Sequence, residues 1–222
     1  QPESDSITKR ICNLGLELMG VDYVSIGIVV NNSYSTVDTS HDLAVFLDEQ
    51  QFTFGDGPTY MARNAIAPIL VENIRASDFQ KTYPAFATTS KLTELGAIFA
   101  FPLSIGGAFI GVMTGYRKTP GPLDGDNFAN ALVLSSIATA ELIKSGAGVS
   151  TDENQNVFSL EKFDNSSLQI AAGMVAEQLN CSVIEALVRI RALAFSEDSS
   201  VNAIAKKIVT KEISIELEMK GD

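Results

Sequence analysis

The sequence predicts an α+β domain followed by a small all-α domain. Two hairpin signals support the first part: the β-branched run Val21–Val30 turns back at residues 31–33, and Gly106 and Gly107 separate two apolar runs. Long amphipathic patterns at residues 6–20 and 124–144 flank these hairpins. Together they predict an antiparallel sheet with both helices packed together on one side.

The first helix is expected to begin at Ser6, a possible N-cap, and to stop at Gly20. Its apolar residues recur at helical spacing: Ile7, Ile11, Leu14 and Leu18. Asp124 opens the long second helix. Both helices also carry apolar residues outside a single stripe, which predicts a homodimer built on these two helices.

The elements between these helices are shorter. Composition and turn residues predict, in order, a strand at Tyr34–Thr39, a helix at Asp42–Gln50, an extended segment at Phe52–Phe54, a helix at Thr59–Asn64, a strand at Ile69–Val71, a helix at Asp78–Leu95 broken at Pro84, and strands at Gly96–Leu103 and Ala108–Tyr116.

Residues 145–157 are rich in Gly, Ser, Asn and acidic side chains, and they predict a flexible linker between domains at 6–144 and 158–215. The second domain has helical periodicity at about 165–179, 182–195 and from Ser199 or Ser200 onward. Ser182 with Glu185 forms a capping box, a specific helix start. Gly173 lies inside the first of these helices, where it is expected to permit a close helix contact.

Composition favours a cytoplasmic protein that is not an enzyme. The 222 residues carry a net charge of −11, which disfavours nonspecific nucleic-acid binding but does not exclude a local basic face. No apolar run is long enough to span a membrane. Cys12, Cys181 and His41 lack the spacing that binds zinc, and no catalytic motif is present, so we expect neither a metal nor a cofactor.

The first half resembles a GAF domain, over about Ser6 to Lys144. The resemblance is carried by the segment Gln51–Pro58 (QFTFGDGP) and by Phe99–Leu103 (FAFPL) leading to Gly111–Met113 (GVM). GAF domains are ligand-sensing or dimerising modules, so the resemblance implies a small-molecule pocket over the sheet. Candidate lining residues are Phe52, Phe54, Tyr60, Arg75, Phe99 and Phe101, although any one of the aromatic residues is also compatible with plain core.

The second half resembles an ANTAR domain, a three-helix RNA-binding module of bacterial antitermination regulators, over about Leu160 to Ile213. Three segments carry the resemblance: Ala171–Val175 (AAGMV), Ser182–Ala194, and Val201 with Ile204 and Ala205. The family often has a basic residue at the place of Ala172, and Ala172→Lys is expected to strengthen RNA binding if this side chain points outward. The order of the two halves resembles the GAF-ANTAR regulators.

The resemblance implies a signal-responsive transcription antitermination regulator that binds stem-loop RNA. The candidate RNA-binding residues are the basic side chains of the second domain: Arg189, Arg191, Lys206, Lys207 and Lys211. Arg189 and Arg191 lie about 200° apart on a helix, so they do not both face the centre of one flat surface. The alternative is a sensor or dimerisation protein that acts through protein contacts without RNA.

Overall fold

The computed structural model describes residues 6–30, 33–65, 67–146, 166–197, 199, 201–213 and 215. The chain divides into two compact units, Gln1–Ser159 and Leu160–Asp222. Apart from Ser145 and Gly146, the predicted linker lies outside the described residues. Within the described part of the chain, no helix has the length and apolarity required to cross a membrane.

The first unit contains a five-stranded antiparallel sheet, which confirms the predicted sheet type. Its strands are paired in the order β2-β1-β5-β4-β3. Gly106 and Gly107 join β4 to β5 with φ of 55° and 83°, backbone angles that favour glycine. The strands are β1 (Tyr23–Val30), β2 (Ser33–Thr39), β3 (Ile69–Val71), β4 (Ala97–Ile105) and β5 (Ala108–Arg117).

Helices α1 (Ile7–Leu18) and α5 (Gly125–Lys144) pack together, as predicted. The Asn130 amide in α5 donates a hydrogen bond of 3.0 Å to the Leu18 carbonyl in α1. Both predicted caps are confirmed, because the side chain of Ser6 accepts from the backbone N–H of Lys9 and that of Asp124 from Asn127. The two helices lie on the sheet face that carries Val24 and Phe101.

The inward face of α1 differs from the predicted stripe. Its buried residues are Thr8, Ile11, Cys12 and Gly15. The predicted stripe members Ile7, Leu14 and Leu18 are instead 42%, 55% and 38% exposed. Gly15 explains the difference, because a Cβ there would lie only 3.1 Å from the Val24 side chain, so the missing side chain lets the helix approach the strand. On α5, Leu132, Val133 and Ile137 are also exposed.

The opposite face of the sheet is covered by α2 (Asp42–Phe54) and α3 (Pro58–Ala65). The prediction of an extended segment at Phe52–Phe54 was wrong, since α2 continues through it to the left-handed Gly55, at φ 64°. A glycine at this position is a common helix stop, which the sequence did contain.

The predicted helix at 78–95 is confirmed only up to its expected break at Pro84. This segment contains α4 (Ser77–Thr82) and two short 3-10 turns, Phe86–Thr88 and Ser90–Glu94. The Asp56 carboxylate accepts from the backbone N–H groups of Ala85 and Phe86, at 2.9 and 3.1 Å. These bonds fix the chain in a turn just after Pro84.

In the second unit, the described residues form α6 (Ser166–Leu179), α7 (Val183–Ser196) and α8 (Val201–Val209). Ser182 caps α7, because its hydroxyl accepts from the backbone N–H of Glu185 at 3.2 Å. One apolar cluster is shared by the three helices: Leu168, Ala171, Ala172, Val175, Leu179, Ala186, Ile190, Ala194, Val201, Ile204, Ala205 and Ile208.

Gly173 does not have the packing role expected from the sequence. It is exposed, and a Cβ added there would meet nothing within 4 Å. Ala172, by contrast, is only 1% exposed. The condition set for Ala172→Lys to strengthen RNA binding, an outward-pointing side chain, is therefore not met.

Candidate functional site

The five predicted RNA-binding residues lie on α7, on α8 and just after α8. Lys206 and Lys211 are exposed, whereas Arg189, Arg191 and Lys207 are half-buried. Lys211 follows the end of α8 with a left-handed φ of 60°. All five side chains belong to the second unit, which therefore has cationic groups on two of its three described helices.

Two of these cations are already paired with carboxylates. Arg189 lies 3.6 Å from Glu185 on the same helix, and Lys207 lies 3.5 Å from Glu197. Arg191 makes no ion pair with a carboxylate in the described part of the chain. Arg191 and Lys211 are thus the candidates whose charge is least neutralised by these pairs.

The six predicted pocket residues do not come together in one pocket. Phe52 stacks on Tyr34 with ring centroids 4.4 Å apart and contacts Tyr60 edge-on at 5.5 Å. Phe99 and Phe101 are fully buried and belong to the other face of the sheet, where Phe101 contacts Phe128 of α5 at 6.0 Å between centroids.

Phe54 and Arg75 are also separate from the Phe52 aromatic group. Phe54 is half-buried and packs against the core under α2, beside residues such as Leu47 and Phe86. Arg75 is exposed, and its guanidinium donates to the Leu95 carbonyl at 3.3 Å.

A buried carboxylate that the sequence did not indicate lies at the centre of the first unit. Asp48 of α2 is fully buried. One of its oxygens accepts from Ser25 at 2.5 Å and from Tyr34 at 2.6 Å. The other accepts from Tyr116, and from Thr59 at 3.4 Å. Four hydroxyl donors from β1, β2, β5 and α3 thus converge on one side chain.

Further buried groups extend this cluster, which we call the Asp48 network. The Gln51 amide donates to the Tyr116 hydroxyl at 3.0 Å, and its carbonyl accepts from the backbone N–H of Thr59 at 2.7 Å. The hydroxyls of Thr59 and Thr114 lie 3.2 Å apart. The network therefore connects α2 and α3 to the centre of the sheet.

Burial raises the pKa of Asp48 from 3.8 to about 6, while the hydrogen bonds from Ser25, Tyr116 and Tyr34 oppose this rise. Burial, and then the charge of Asp48, raise the pKa of both tyrosines well above 10. The two phenols therefore stay protonated and act as donors to the carboxylate near neutral pH.

Sequence reasoning missed Asp48 because an acidic residue in a helix is most often exposed. A signal was present in its position. Asp48 follows Leu47 and lies four residues after Ala44, and both of these residues are fully buried. Residues four apart share a helix face, which places Asp48 on the inward side of α2.

A groove of about 280 Å³ lies between the end of β4 and the second half of α5. The hydroxyls of Ser135, Ser136 and Thr139 in its wall donate to backbone carbonyls of α5 itself. These hydroxyl oxygens can still accept hydrogen bonds, so the groove offers a ligand both polar and apolar surface. The groove is lined by Pro102, Ser104, Ile105, Ser135, Ser136, Thr139, Ala140 and Ile143.

Cys12 lies in the buried core, and His41 lies at the start of a helix. Burial raises the pKa of Cys12 to about 12, so its thiol stays un-ionised in the core. His41 caps α2, since its Nδ1 accepts from the backbone N–H of Leu43 at 3.0 Å. Among the described residues, no group of three His, Cys, Asp or Glu side chains is placed to hold a metal ion.

Several solved GAF domains are partly similar to this chain. One is the GAF domain of a phosphoenolpyruvate-protein phosphotransferase from Acinetobacter, with 13% identity, a TM-score of 0.47, and coverage of 63% of this chain and 82% of that chain. The second GAF domain of DevS from Mycobacterium smegmatis has 11% identity and a TM-score of 0.44, over 62% and 92%. A GAF domain/HD domain protein from Geobacter sulfurreducens has 16% identity and a TM-score of 0.48, over 61% and 89%.

No protein-family model matches the sequence, and no curated protein matches it. The five-stranded antiparallel sheet with its flanking helices is the architecture predicted for the first half from its hairpin and helix patterns. The solved neighbours have TM-scores below 0.5 and low identity, so their ligands and partners do not transfer to this chain.

Proposed function

We propose that this chain is a signal-responsive regulator that binds stem-loop RNA through its second unit and dimerises through its first. The observation that carries the RNA-binding part is that apolar residues of α6, α7 and α8 form a core while the described basic residues of this unit lie outside it. The apolar positions that resemble the ANTAR pattern form the shared core, including Ala171, Val175, Ile190 and Ile204. The basic candidates lie outside that core, on α7, on α8 and just after α8.

This division matches what an RNA-binding surface requires. Phosphate contacts need cations that reach solvent, while the helices that hold them need an apolar core of their own. Lys206 and Lys211 are exposed, and Arg191 has no ion pair with a described carboxylate. The paired Arg189 and Lys207 are expected to contribute less, because RNA must compete with Glu185 and Glu197.

The test is a titration of the full chain with a labelled RNA of two stem-loops at several salt concentrations. We expect binding that is stronger than to a scrambled RNA and weaker at high salt. Arg191→Ala and Lys211→Ala should each weaken binding and flatten the log–log salt dependence by roughly 0.7 to 0.9 per phosphate contact. Equal affinity for the scrambled RNA at low salt would contradict the proposal.

A dimer through α1 and α5 is the second part of the proposal. Leu14 and Leu18 of α1 and Val133 and Ile137 of α5 are 38% to 59% exposed. Since α1 and α5 pack together, these residues give the first unit a two-helix surface with exposed apolar groups, and a second copy of this chain would cover it.

Light scattering at micromolar concentration tests the dimer. Leu14→Glu and Val133→Glu should each convert the dimer to a monomer that keeps its fold. Ile11→Glu is unsuitable as a test, because Ile11 is only 3% exposed and a charge there would unfold the first unit. A wild-type chain that is monomeric under these conditions would contradict this part of the proposal.

A further inference from the structure

The cover over the buried Asp48 carboxylate is not equally tight on all sides. The hydroxyls of Ser25 on β1 and Tyr34 on β2 lie 2.5 and 2.6 Å from one of its oxygens, and the Tyr116 hydroxyl on β5 contacts the other. Thr59 of α3 makes the longest of the four contacts, at 3.4 Å. The sheet therefore binds the carboxylate closely, whereas α3 is attached to it by a single weak hydrogen bond from a side chain.

Helix α3 also has a small apolar attachment to the sheet. Its buried residues are Pro58, Thr59 and Ala62. Neither Pro58 nor Ala62 has a large side chain, so little apolar surface would reach water if α3 moved outward. Helix α2, by contrast, is held in the apolar core by Leu43 and Leu47. Of the two helices on this face, α3 is the one that separates from the sheet at lower cost.

The turn that joins α2 to α3 has a fixed part and a hinge. Asp56 accepts from the backbone N–H groups of Ala85 and Phe86, which fixes the middle of the turn to the neighbouring chain. Gly57 follows with a φ of 119°, a left-handed angle that favours glycine, and Pro58 is already the first residue of α3. Gly57 is therefore the point about which α3 would turn while α2 stays in place.

Movement of α3 would change the surroundings of the Asp48 charge. Burial disfavours the ionised carboxylate and raises the pKa of Asp48 to about 6, against the effect of its hydrogen bonds. If α3 moved outward, water would take the place of the Thr59 hydroxyl, and the three donors on the sheet would remain. The open form therefore holds the charge at lower cost, so ionisation of Asp48 favours opening.

The other titratable groups around Asp48 keep their charge state in the range around this pKa. Tyr34 and Tyr116 stay protonated, because burial and then the charge of Asp48 raise the pKa of each phenol well above 10. Burial raises the pKa of Cys12, on the other side of the sheet, to about 12. Arg63 is the charged residue of α3 and remains cationic. Asp48 is thus the group of this set whose charge changes.

We propose that α3 is a lid over Asp48, which closes when the carboxylate takes up a proton from solvent and opens when it releases that proton. The only covalent change is the O–H bond made or broken on Asp48. This inference goes beyond the proposed function, because it names proton concentration as a signal that acts on the first unit. It concerns the first unit alone and holds whether or not the second unit binds RNA.

Amide hydrogen exchange of the full chain tests the lid, with each rate divided by that of an unstructured peptide at the same pH. The Thr59 N–H is the direct probe, because it donates to the Gln51 side chain of α2 at 2.7 Å and loses this bond when α3 opens. Opening should increase roughly 5- to 10-fold from about pH 5 to about pH 7.5, if the open form has a pKa about one to two lower than the closed form. Exchange that is independent of pH, or that increases on acidification, would overturn the proposal.

Low concentrations of urea separate opening of the lid from unfolding of the whole unit. Local opening exposes little surface, so exchange at Thr59 should be faster than in β1 and β5 and should respond little to urea. The amides of β1 and β5 exchange by global unfolding and should respond strongly. If Thr59 has the same protection and the same urea dependence as the two strands, α3 opens only when the unit unfolds, and the lid is refuted.

Two pairs of variants identify the groups involved. Asp48→Asn should abolish the pH response at Thr59, whereas Asp42→Asn, an exposed site on the same helix, should keep it. Thr59→Val should increase opening roughly 3- to 10-fold at each pH, the effect of one lost hydrogen bond, and Thr59→Ser should behave like wild type. A pH response that survives in Asp48→Asn, or a Thr59→Val chain that opens no more than wild type, would contradict the proposal.

A measurement on wild type alone covers the case in which Asp48→Asn does not fold. The carboxyl carbon of Asp48, followed by NMR over the same pH range, reports its protonation directly. Its titration should have the same midpoint as the change in exchange at Thr59. Midpoints that differ by more than about one pH unit, a tenfold difference in proton concentration, would show that another group drives the change and would overturn the proposal.

Discussion

The Asp48 network makes the stability of the first unit depend on pH in a specific direction. The pKa of Asp48 is about 6 in the folded chain and 3.8 for the unperturbed group. Between these values the folded state binds more protons than the unfolded state, so stability falls as pH rises. A pKa shift of about two units corresponds to about 3 kcal/mol of unfolding free energy. The first unit loses this stability between pH 4 and pH 7, and above pH 7 Asp48 causes no further change.

Asp48→Asn isolates this contribution, because an amide does not titrate. Other carboxylates contribute the same pH dependence to both proteins, so the difference in unfolding free energy between wild type and Asp48→Asn reports on Asp48. This difference should shift by roughly 2 to 3 kcal/mol in favour of the variant from pH 4 to pH 7.

Urea unfolding followed by tyrosine fluorescence is the assay. The chain has no tryptophan, and its five tyrosines, at positions 23, 34, 60, 83 and 116, all belong to the first unit, so the signal is specific to that unit. Tyr116→Phe serves as a second variant, since loss of one donor to the carboxylate should raise the pKa of Asp48 further and move the pH dependence upward. A difference that stays constant with pH, or that shifts in favour of wild type as pH rises, would refute the reasoning.

Three further predictions concern the second unit. Gly173→Ala should stabilise α6 by about 1 kcal/mol, because the added methyl group meets no neighbour and alanine favours the helix; a lower melting temperature by circular dichroism would contradict this. Ala172→Lys, one residue earlier, should destabilise the unit by about 3 kcal/mol in the same assay, because its side chain would enter the shared core; an unchanged melting temperature would show that residue 172 reaches solvent. Lys207→Ala combined with Lys211→Ala should weaken RNA binding without unfolding the helices, and most of the loss should come from Lys211, because Lys207 is already paired with Glu197; the two single variants measure this division.

Local signals in the sequence predicted most of the element boundaries. Ser6, Asp124 and Ser182 each provide a capping oxygen to a backbone N–H three residues later, which is a contact within a single turn. Gly106 and Gly107 supply left-handed backbone at a hairpin, which is also a local property. Such features depend on neighbouring residues alone and can therefore be read without the rest of the fold.

The features that sequence reasoning missed depend on distant residues. The inward face of α1 includes Thr8 and Gly15, which a pattern of apolar residues does not reveal. Gly15 faces inward because its missing side chain lets α1 come close to Val24 of β1, which is distant in sequence. Asp48 is buried because donors from three strands and α3 reach it, and no sequence spacing indicates that convergence.

Amide hydrogen exchange of the full chain, with and without the two-hairpin RNA, tests the central claim most directly. Exchange reports on each helix separately, so it locates the RNA without any substitution. The account predicts that RNA slows exchange in α7 and around Lys206 to Lys211, while the sheet of the first unit and the Asp48 network exchange as before. Protection confined to the first unit, or no protection at saturating RNA, would contradict it.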